Sequence, residues 1–239
     1  MDNPILTIDE REAINAGRWF GSLSPSLRHD ILRCAYVKRY RDGELISARG
    51  DPPEDWIACA RGAVRVSSTS ITGKQVTLTY VEPGIWFGDV SIFDGDRRTH
   101  DAYAHGECTV LCVAKGDFKK ILASHVELYE ALLRLHARRI RQLYGLVEDL
   151  NTLPLRARLA KQLLHLVRSY GVPSLSDASE MRISLHLAQE ELAQLLGASR
   201  QRVNQELKSM ERELSIRIEP GGLIIRNRDA LMRIVEADH

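Results

Sequence analysis

Two short polar motifs in the first half of the chain suggest a site for a phosphate-like anion. Gly88-Asp89-Val90 follows an apolar Trp-Phe pair, and backbone N–H groups beside a glycine can approach an anion or a sugar closely. About ten residues later, Arg98-Thr99 offers a guanidinium and a hydroxyl group, which together suit a phosphate. The alternative is that Arg98 forms a buried structural ion pair with a nearby carboxylate: Asp89, Asp94 or Asp96.

A second group of polar residues, near the C-terminus, is suited to contacting DNA. The stretch 189–211 predicts two short helices, in which Gly197 ends the first and Ser199 caps the second. Leu192, Ala193, Leu195 and Leu196 give the first helix an apolar side, and Val203, Leu207 and Met210 do the same for the second. The pattern also fits an ordinary helical hairpin with a solvated polar face.

The second predicted helix exposes long side chains of the kind that reach base edges and phosphates in a major groove. We predict base contacts from Arg200, Gln201 and Gln205. Three further side chains are expected to contact either bases or phosphates: Arg202, Asn204 and Lys208. Ser199, at the start of the helix, is also predicted to bind DNA.

The rest of the sequence lacks the residue sets of common catalytic and metal sites. The four cysteines (Cys34, Cys59, Cys108 and Cys112) contain no CxxC pair, which argues against a zinc site or a cysteine-ligated iron–sulfur centre. Isolated histidines are weak candidates for a haem ligand. Since no glycine-rich nucleotide loop followed by lysine is present, and no Ser/His/Asp set in a recognisable context, we predict that the protein is not an enzyme.

Composition limits the kind of surface that could bind a nucleic acid. The formal net charge of the 239-residue chain is +1, so a DNA-binding surface must be a local patch. The first residues lack the apolar core of a signal peptide, and no apolar run is long enough to span a bilayer. These features predict a soluble, cytoplasmic protein that does not interact with a membrane.

The elements that would hold these motifs follow in a clear order. Residues 35–113 contain short runs of β-branched and aromatic residues separated by turn signals such as Arg61-Gly62 and Thr72-Gly73, which predict an antiparallel sandwich or barrel. The predicted strands are 35–40, 44–47, 56–60, 63–68, 75–81, 102–104 and 109–113. Residues 117–153 predict one long helix. Pro154 ends it, so 151–155 is the expected hinge and domain boundary. That helix has more apolar residues than one packing face needs, so we expect it to pair with the same helix of a second copy. The alternative is that it lies on its own sandwich.

After Pro154 the pattern is an amphipathic helix over 155–170, a strand over 181–185, the two helices of 189–211, and a hairpin whose tip is Gly221-Gly222. The first of these helices is expected to have an exposed basic face: Arg156, Arg158, Lys161 and Arg168. Asp229 is predicted to cap a last helix. This order of a helix, a helix–turn–helix and a hairpin is typical of a winged DNA-binding domain.

Taken together, the elements and motifs resemble the Crp/Fnr family of bacterial transcription regulators over essentially the whole chain. The most specific motifs are LGASRQRVNQELKSME and PGIWFGDVSIFDGDRRTHDAYAHG. The resemblance implies an α+β fold with a cyclic-nucleotide-binding-type β-roll (jelly roll) in 1–116, a dimerisation helix in 117–153 and a winged helix–turn–helix in 154–239. It further implies a homodimer on near-palindromic double-stranded DNA, with RNA polymerase as another partner.

The resemblance also implies an effector site in the β-roll, although two residues depart from the family pattern. In cyclic-nucleotide-binding members a glycine–glutamate pair holds the ribose and an arginine–serine/threonine pair holds the cyclic phosphate. Gly88, Arg98 and Thr99 match, whereas Asp89 is one methylene shorter than the glutamate. Leu143-Tyr144 stands where cyclic-AMP-binding members have a threonine–serine pair that contacts adenine; Tyr144 offers stacking or a phenol hydrogen bond instead.

Several effectors are therefore compatible with the sequence: cyclic AMP, a different nucleotide, a cyclic dinucleotide, another small anion, or none. With no effector, the protein would be a ligand-independent DNA-binding regulator whose β-roll is only structural. In the DNA-contacting helix, Gln201 and Gln205 replace the glutamate and arginine of the cyclic-AMP-binding members, so the preferred DNA sequence is expected to differ.

Overall fold

The computed structural model describes residues 5–71, 73 and 75–237. They form two compact units, Met1–Ile140 and Arg141–His239, whose boundary falls within the longest helix. Thr72 of one predicted turn lies outside the described residues. In the part of the chain that the structure describes, no helix has the length and apolar character needed to cross a membrane.

The first unit is built on a six-stranded antiparallel sheet, as the sequence predicts for this region. Its strands pair in the order β1-β6-β3-β4, with β2 on β6 and β5 on β3. The strands are β1 (Ala35–Tyr40), β2 (Leu45–Ser47), β3 (Asp55–Thr69), β4 (Gln75–Val81), β5 (Trp86–Phe87) and β6 (Asp101–Ala114). The helices are α1 (Ile8–Ala16), α2 (Pro25–Cys34), α3 (Val90–Asp94), α4 (Lys115–Ser124) and the first half of α5 (Val126–Thr152), with a 3₁₀ turn at Phe20–Ser22.

Two strands are longer than the sequence predicts. Residues 56–60 and 63–68 were expected as separate strands, as were 102–104 and 109–113, but each pair belongs to one continuous strand, β3 or β6. These two strands pair with each other, with register shifts between Cys59 and Ala63. Gly62, which the sequence predicts in a turn, adopts a left-handed φ of 73° within β3. The glycine therefore bends a strand and does not end it.

The two faces of the sheet bury different cores, because alternate residues of a strand point to opposite sides. Trp56 and Ala58 of β3 face a cluster that includes helical residues, in which the rings of Trp56 and Trp86 lie 4.1 Å apart. Ile57 and Cys59 face the inner side of the β-roll. Cys108 and Cys112 are both buried on that inner side, as small core residues.

The prediction of one helix over 117–153 is wrong at His125. There the backbone is extended (φ −128°, ψ 90°) between α4 and α5. The imidazole Nε2 of His125 lies 2.8 Å from Oδ2 of Asp30 on α2, so a tertiary contact fixes the break. Neither glycine nor proline occurs at this position, so the sequence pattern does not predict the break.

The second unit contains the C-terminal half of α5 and a winged helix–turn–helix arrangement. Its helices are α6 (Leu155–Tyr170), α7 (Gln189–Leu195), α8 (Arg200–Arg212) and α9 (Arg228–Ala237). A four-stranded antiparallel sheet has the order β7-β8-β10-β9, formed by Gly171–Pro173, Met181–Ile183, Gly222–Ile225 and Ile216–Glu219 respectively. Strand β7 was not predicted. The predicted cap of α9 is also wrong, because Oδ1 of Asn227, and not Asp229, accepts the N–H of Ala230 at 2.9 Å.

Candidate DNA-binding and effector sites

Helix α8 presents the predicted DNA-contacting residues on one side. It begins after Ser199, whose Oγ accepts the N–H of Arg202 at 3.4 Å. Because successive residues turn by about 100°, the buried stripe of Val203, Leu207 and Met210 leaves the opposite side to the polar residues. Of those, Asn204 is half-buried and the others are exposed: Ser199, Arg200, Gln201, Arg202, Gln205 and Lys208.

Two arginines of α6 position this helix–turn–helix. Arg158 donates from Nη1 to the carbonyl oxygen of Leu196 at 2.7 Å, at the turn between α7 and α8. Arg156 pairs with Glu206 at 3.6 Å and also with Glu213, just after α8. Sequence reasoning placed both arginines on an exposed basic face; the structure uses them within the unit.

In the first unit, Arg98 and Gly88 lie together, as expected for the effector motif. The Arg98 side chain is buried, with 8% of the residue exposed. It donates from Nη1 to the carbonyl oxygen of Gly88 at 2.7 Å and from Nη2 to that of Asp55. Gly88 has φ +86°, and a β-carbon there would stand 2.4 Å from Nη1, so only glycine allows this approach.

Asp89 pairs with two side chains of α5 and makes no ion pair with Arg98. Its side chain is fully buried, with Nε2 of His136 at 2.8 Å from Oδ2 and Nη1 of Arg139 at 3.4 Å from Oδ1. Arg139 also donates to the carbonyl oxygen of Trp86. Burial would raise the pKa of Asp89, but the hydrogen bond from His136 and the charge of Arg139 outweigh it and hold the pKa below its usual range. Both partners belong to α5, three residues apart on one helix face, and sequence reasoning did not select either.

A polar cluster on the inner side of the sheet was also missed. The carboxylate of Asp55 accepts the Tyr36 hydroxyl at 2.6 Å and the Lys38 ammonium at 3.2 Å. Burial, together with the hydrogen bond to Asp55, raises the pKa of Tyr36 to about 12. The charge of Lys38 is thus balanced by Asp55, which meets Arg98 only through its backbone oxygen.

The charge of Arg98 has no such partner. Among the residues the structure describes, both of its hydrogen-bond partners are backbone carbonyls. Burial lowers the pKa of Arg98, although the more distant carboxylates of Asp55 and Asp89 act in the opposite direction. The alternative ion pair of Arg98 with Asp89, Asp94 or Asp96 is therefore not formed, and the side chain remains suited to an anion.

Within the first unit, Thr99 and Val90 are not joined to Arg98 by any contact that the structure gives among its described residues. Thr99 is exposed, and its Oγ1 lies 2.8 Å from Nδ1 of His100. Val90 is half exposed at the start of α3. Tyr144 is 72% exposed on the part of α5 that belongs to the second unit.

A cyclic nucleotide fits this arrangement in part. The buried cation of Arg98 and the glycine beside it suit a cyclic phosphate. The carboxylate of Asp89, in contrast, already serves two side chains of α5 and is closed to solvent, so it does not present an acceptor to a ribose hydroxyl.

Comparison with known proteins gives consistent matches in both units. Residues 37–125 match the model of the cyclic nucleotide-binding domain, and residues 157–234 match that of the Crp-like helix-turn-helix domain. A curated relative, the CRP-like cAMP-activated global transcriptional regulator of Mycobacterium tuberculosis, is 32% identical over 90% of this chain and 94% of its own length.

Solved structures agree with this match. A CRP-family transcriptional regulator from Thermus thermophilus has a TM-score of 0.69 at 26% identity, over 83% of this chain and 96% of that one. FixK2 from Bradyrhizobium japonicum has a TM-score of 0.73 at 22% identity, over 84% and 96% respectively. The similarity to FixK2 shows a shared fold.

Proposed function

Because the chain belongs to the Crp/Fnr family of DNA-binding transcription regulators, we propose that it acts as a homodimer whose affinity for DNA is set by a small anion bound in the β-roll. The proposal includes a cytoplasmic location, no enzymatic activity and RNA polymerase as a partner. It rests on the family, on the apolar side of α5 and on the surroundings of Arg98.

The observation that carries effector binding is the unbalanced charge of Arg98. A buried guanidinium without a carboxylate partner is costly, even when its N–H groups meet carbonyl oxygens. An anion beside Gly88 would offset that cost. Neighbouring Lys38, which has its own counterion in Asp55, would not compete for the anion.

The effector class that we propose is a cyclic nucleotide, either cyclic AMP or a cyclic dinucleotide. The M. tuberculosis relative is described as cAMP-activated, and the cyclic nucleotide-binding model covers the β-roll. Gly88 and Arg98 would hold the phosphate, with Thr99, Val90 and Tyr144 as further contacts. Asp89 would act indirectly, by holding His136 and Arg139 of α5.

The DNA-reading residues that we propose are those on the exposed side of α8. Arg200, Gln201 and Gln205 would contact base edges, while the others contribute base or phosphate contacts: Ser199, Arg202, Asn204 and Lys208. The near-palindromic operator follows from the two-fold symmetry of the proposed dimer.

The mechanism that we propose is a population shift. The effector would stabilise one of two arrangements of the dimer, and the arrangements would differ in affinity for DNA. Pro154, between α5 and α6, marks the expected hinge over 151–155. A ligand shifts such an equilibrium only through a difference in its affinity for the two arrangements.

A thermal-unfolding screen of the full chain tests the effector site. We expect cyclic AMP or cyclic di-GMP to raise the melting temperature, and Arg98→Met to abolish the shift, because ligand binding stabilises only the folded state that contains its site. Arg97→Met is the matched control: Arg97 is exposed and bonds to the carbonyl oxygen of Gly50, so its loss should leave the shift intact.

A companion measurement separates the proposal from a ligand-independent regulator. An operator is selected from random duplexes by the wild-type protein, and its affinity is measured with and without the stabilising nucleotide. A change of affinity that Arg98→Met removes supports gating. If neither nucleotide alters melting or DNA affinity, the proposed effector class is wrong, and a purely structural β-roll becomes the better description. That description has support of its own, since carbonyl oxygens already accept from both terminal nitrogens of Arg98.

A further inference from the structure

The second unit contains a cavity of about 240 Å³ between the helix–turn–helix and the hairpin β9–β10. We name it the wing cavity. Aliphatic side chains dominate its walls: Leu185, Leu187, Leu192, Leu207, Ile218 and Leu223. They come from the segment before α7, from both helices of the helix–turn–helix and from both strands of the hairpin.

Water is a poor occupant for most of the wing cavity. A well-held water needs two to four hydrogen-bond partners, and the aliphatic side chains offer none; the polar side chains of the lining are those of His186, Gln189 and Glu219. An apolar space of about 150 Å³ suffices to bind benzene. The wing cavity is larger, so two fused aromatic rings are a fitting occupant.

The mouth of the wing cavity favours a neutral ligand. Its charged lining residue is Glu219, which already pairs with Nε of Arg217 at 3.2 Å. A ligand anion would be repelled by Glu219, and a ligand cation would compete with Arg217. His186 lies across the hairpin tip, with Nδ1 2.8 Å from the carbonyl oxygen of Gly221.

We propose that the wing cavity binds a small, neutral, apolar molecule of about the size of two fused rings. The occupant would contact α8 through Leu207 and the hairpin through Ile218 and Leu223. This site is separate from the effector site of the β-roll, and its existence does not depend on that proposal.

Titration of the full chain with indole, followed by NMR of labelled leucine methyl groups, tests the site. We expect saturable shifts at Leu192 and Leu223, and none at Leu175, which is fully exposed in the same unit. Naphthalene-2-sulfonate, a charged bicyclic probe, should bind at least tenfold more weakly. Equal binding of the anion would show that the neutral ligand class is wrong.

Variants that fill the cavity give the decisive comparison. Leu185→Trp should weaken indole binding at least tenfold, whereas the same change at exposed Leu175 should leave it within twofold. If Leu185→Trp does not fold, Leu187→Phe, at a half-buried wall position, replaces it. The proposal is overturned by the absence of methyl shifts at saturating indole, or by equal losses in the filling variant and in Leu175→Trp. Neither result bears on the β-roll.

Discussion

At the scale of single residues, buried charges of the first unit differ in how they are balanced. Glu10 is almost fully buried and accepts from Arg39 at 2.7 Å, from Thr109 at 2.7 Å and from its own capping partner Thr7 at 2.8 Å. Asp89 is balanced by two side chains of α5. Arg98 has no carboxylate partner among the described residues. Of these three buried charged side chains it is therefore the one whose charge an anionic ligand would neutralise.

Glu10 provides a test of this balance by pH. Burial would raise its pKa, but the bonds from Arg39, Thr7 and Thr109 outweigh this and lower the pKa to about 2. A lowered folded-state pKa stabilises the fold above the unfolded pKa of about 4.5, and this stability is lost as the pH falls toward 2. We expect Glu10→Gln to reduce the free energy of unfolding by about 3 kcal/mol at neutral pH, with the difference shrinking below pH 4.5.

The measurement is urea unfolding at several pH values, followed by tryptophan fluorescence. All three tryptophans (Trp19, Trp56 and Trp86) lie in the first unit, so the signal reports that unit alone. Glu12→Gln, at an exposed position of the same helix, should have little effect at any pH. A difference for Glu10→Gln that does not vary between pH 7 and pH 2.5 would contradict the assigned pKa.

The residue scale also shows where sequence reasoning stops. The pairing of Gly88 with Arg98 could be predicted because both belong to one motif. The partners of Asp89 could not, since His136 and Arg139 lie about 50 residues further along and the helical period does not specify which turn of α5 meets which loop. A carboxylate can be recognised from sequence as a candidate ligand, whereas its actual partners are set by tertiary packing.

At the scale of elements, strand and helix types were predictable and several of their ends were not. The bounds of β1 and β4 were predicted correctly because turn residues end both strands. Gly62 and His125 mislead in opposite ways. Gly62 is a typical turn residue, yet it lies at a bend within a continuous strand. His125 lies in a helical sequence pattern, yet it separates helix α4 from helix α5. In both cases a contact with a distant segment determines the local structure: pairing with β6 at Gly62, and the contact with Asp30 of α2 at His125.

The bend at Gly62 makes a sharp prediction about alanine substitutions. Both Gly62 and Gly43 have left-handed φ, at 73° and 76°, so alanine is strained at either position. At Gly62 the added β-carbon would stand 2.4 Å from the carbonyl oxygen of Glu107, whereas at Gly43 no atom lies within 4 Å. We expect Gly62→Ala to lower the free energy of unfolding by about 1–3 kcal/mol more than Gly43→Ala. Equal losses in urea unfolding would argue against a packed bend.

Helix α8 is the element whose role depends most on single contacts. A bidentate arginine–base contact is worth about 1–3 kcal/mol of discrimination. We therefore expect Arg200→Ala to weaken binding to a selected operator about tenfold or more, while affinity for a scrambled duplex changes little. Arg228→Ala removes an exposed arginine at the start of α9 and serves as the control. Unchanged operator affinity in fluorescence anisotropy would exclude Arg200 from base reading.

At the scale of the whole molecule, one side of α5 carries apolar residues that are about half exposed in the part of the chain that the structure describes. Only Leu128 and Leu132, near its start, are fully buried among its described residues. Further along, the exposed apolar residues follow a spacing of three, four and three: Ile140, Leu143, Val147 and Leu150. That spacing is typical of the seam of a coiled coil, where each apolar side chain packs between residues of a partner helix. The alternative of a helix lying entirely on its own sandwich does not explain this side.

The oligomeric state gives the test. Leu143 is 60% exposed in the single chain, so replacing it costs that chain little, whereas in a two-helix seam Leu143→Glu would bury two facing carboxylates near the symmetry axis. We expect the variant to sediment as a single chain at concentrations where the wild type is a dimer. Arg141→Glu introduces the same carboxylate about 200° around the helix and should leave the dimer intact. A wild-type chain that sediments as a monomer, or a Leu143→Glu variant that remains dimeric, would refute pairing through this face. The two half-sites of a near-palindromic operator would then have to be bound without dimerisation through this face of α5.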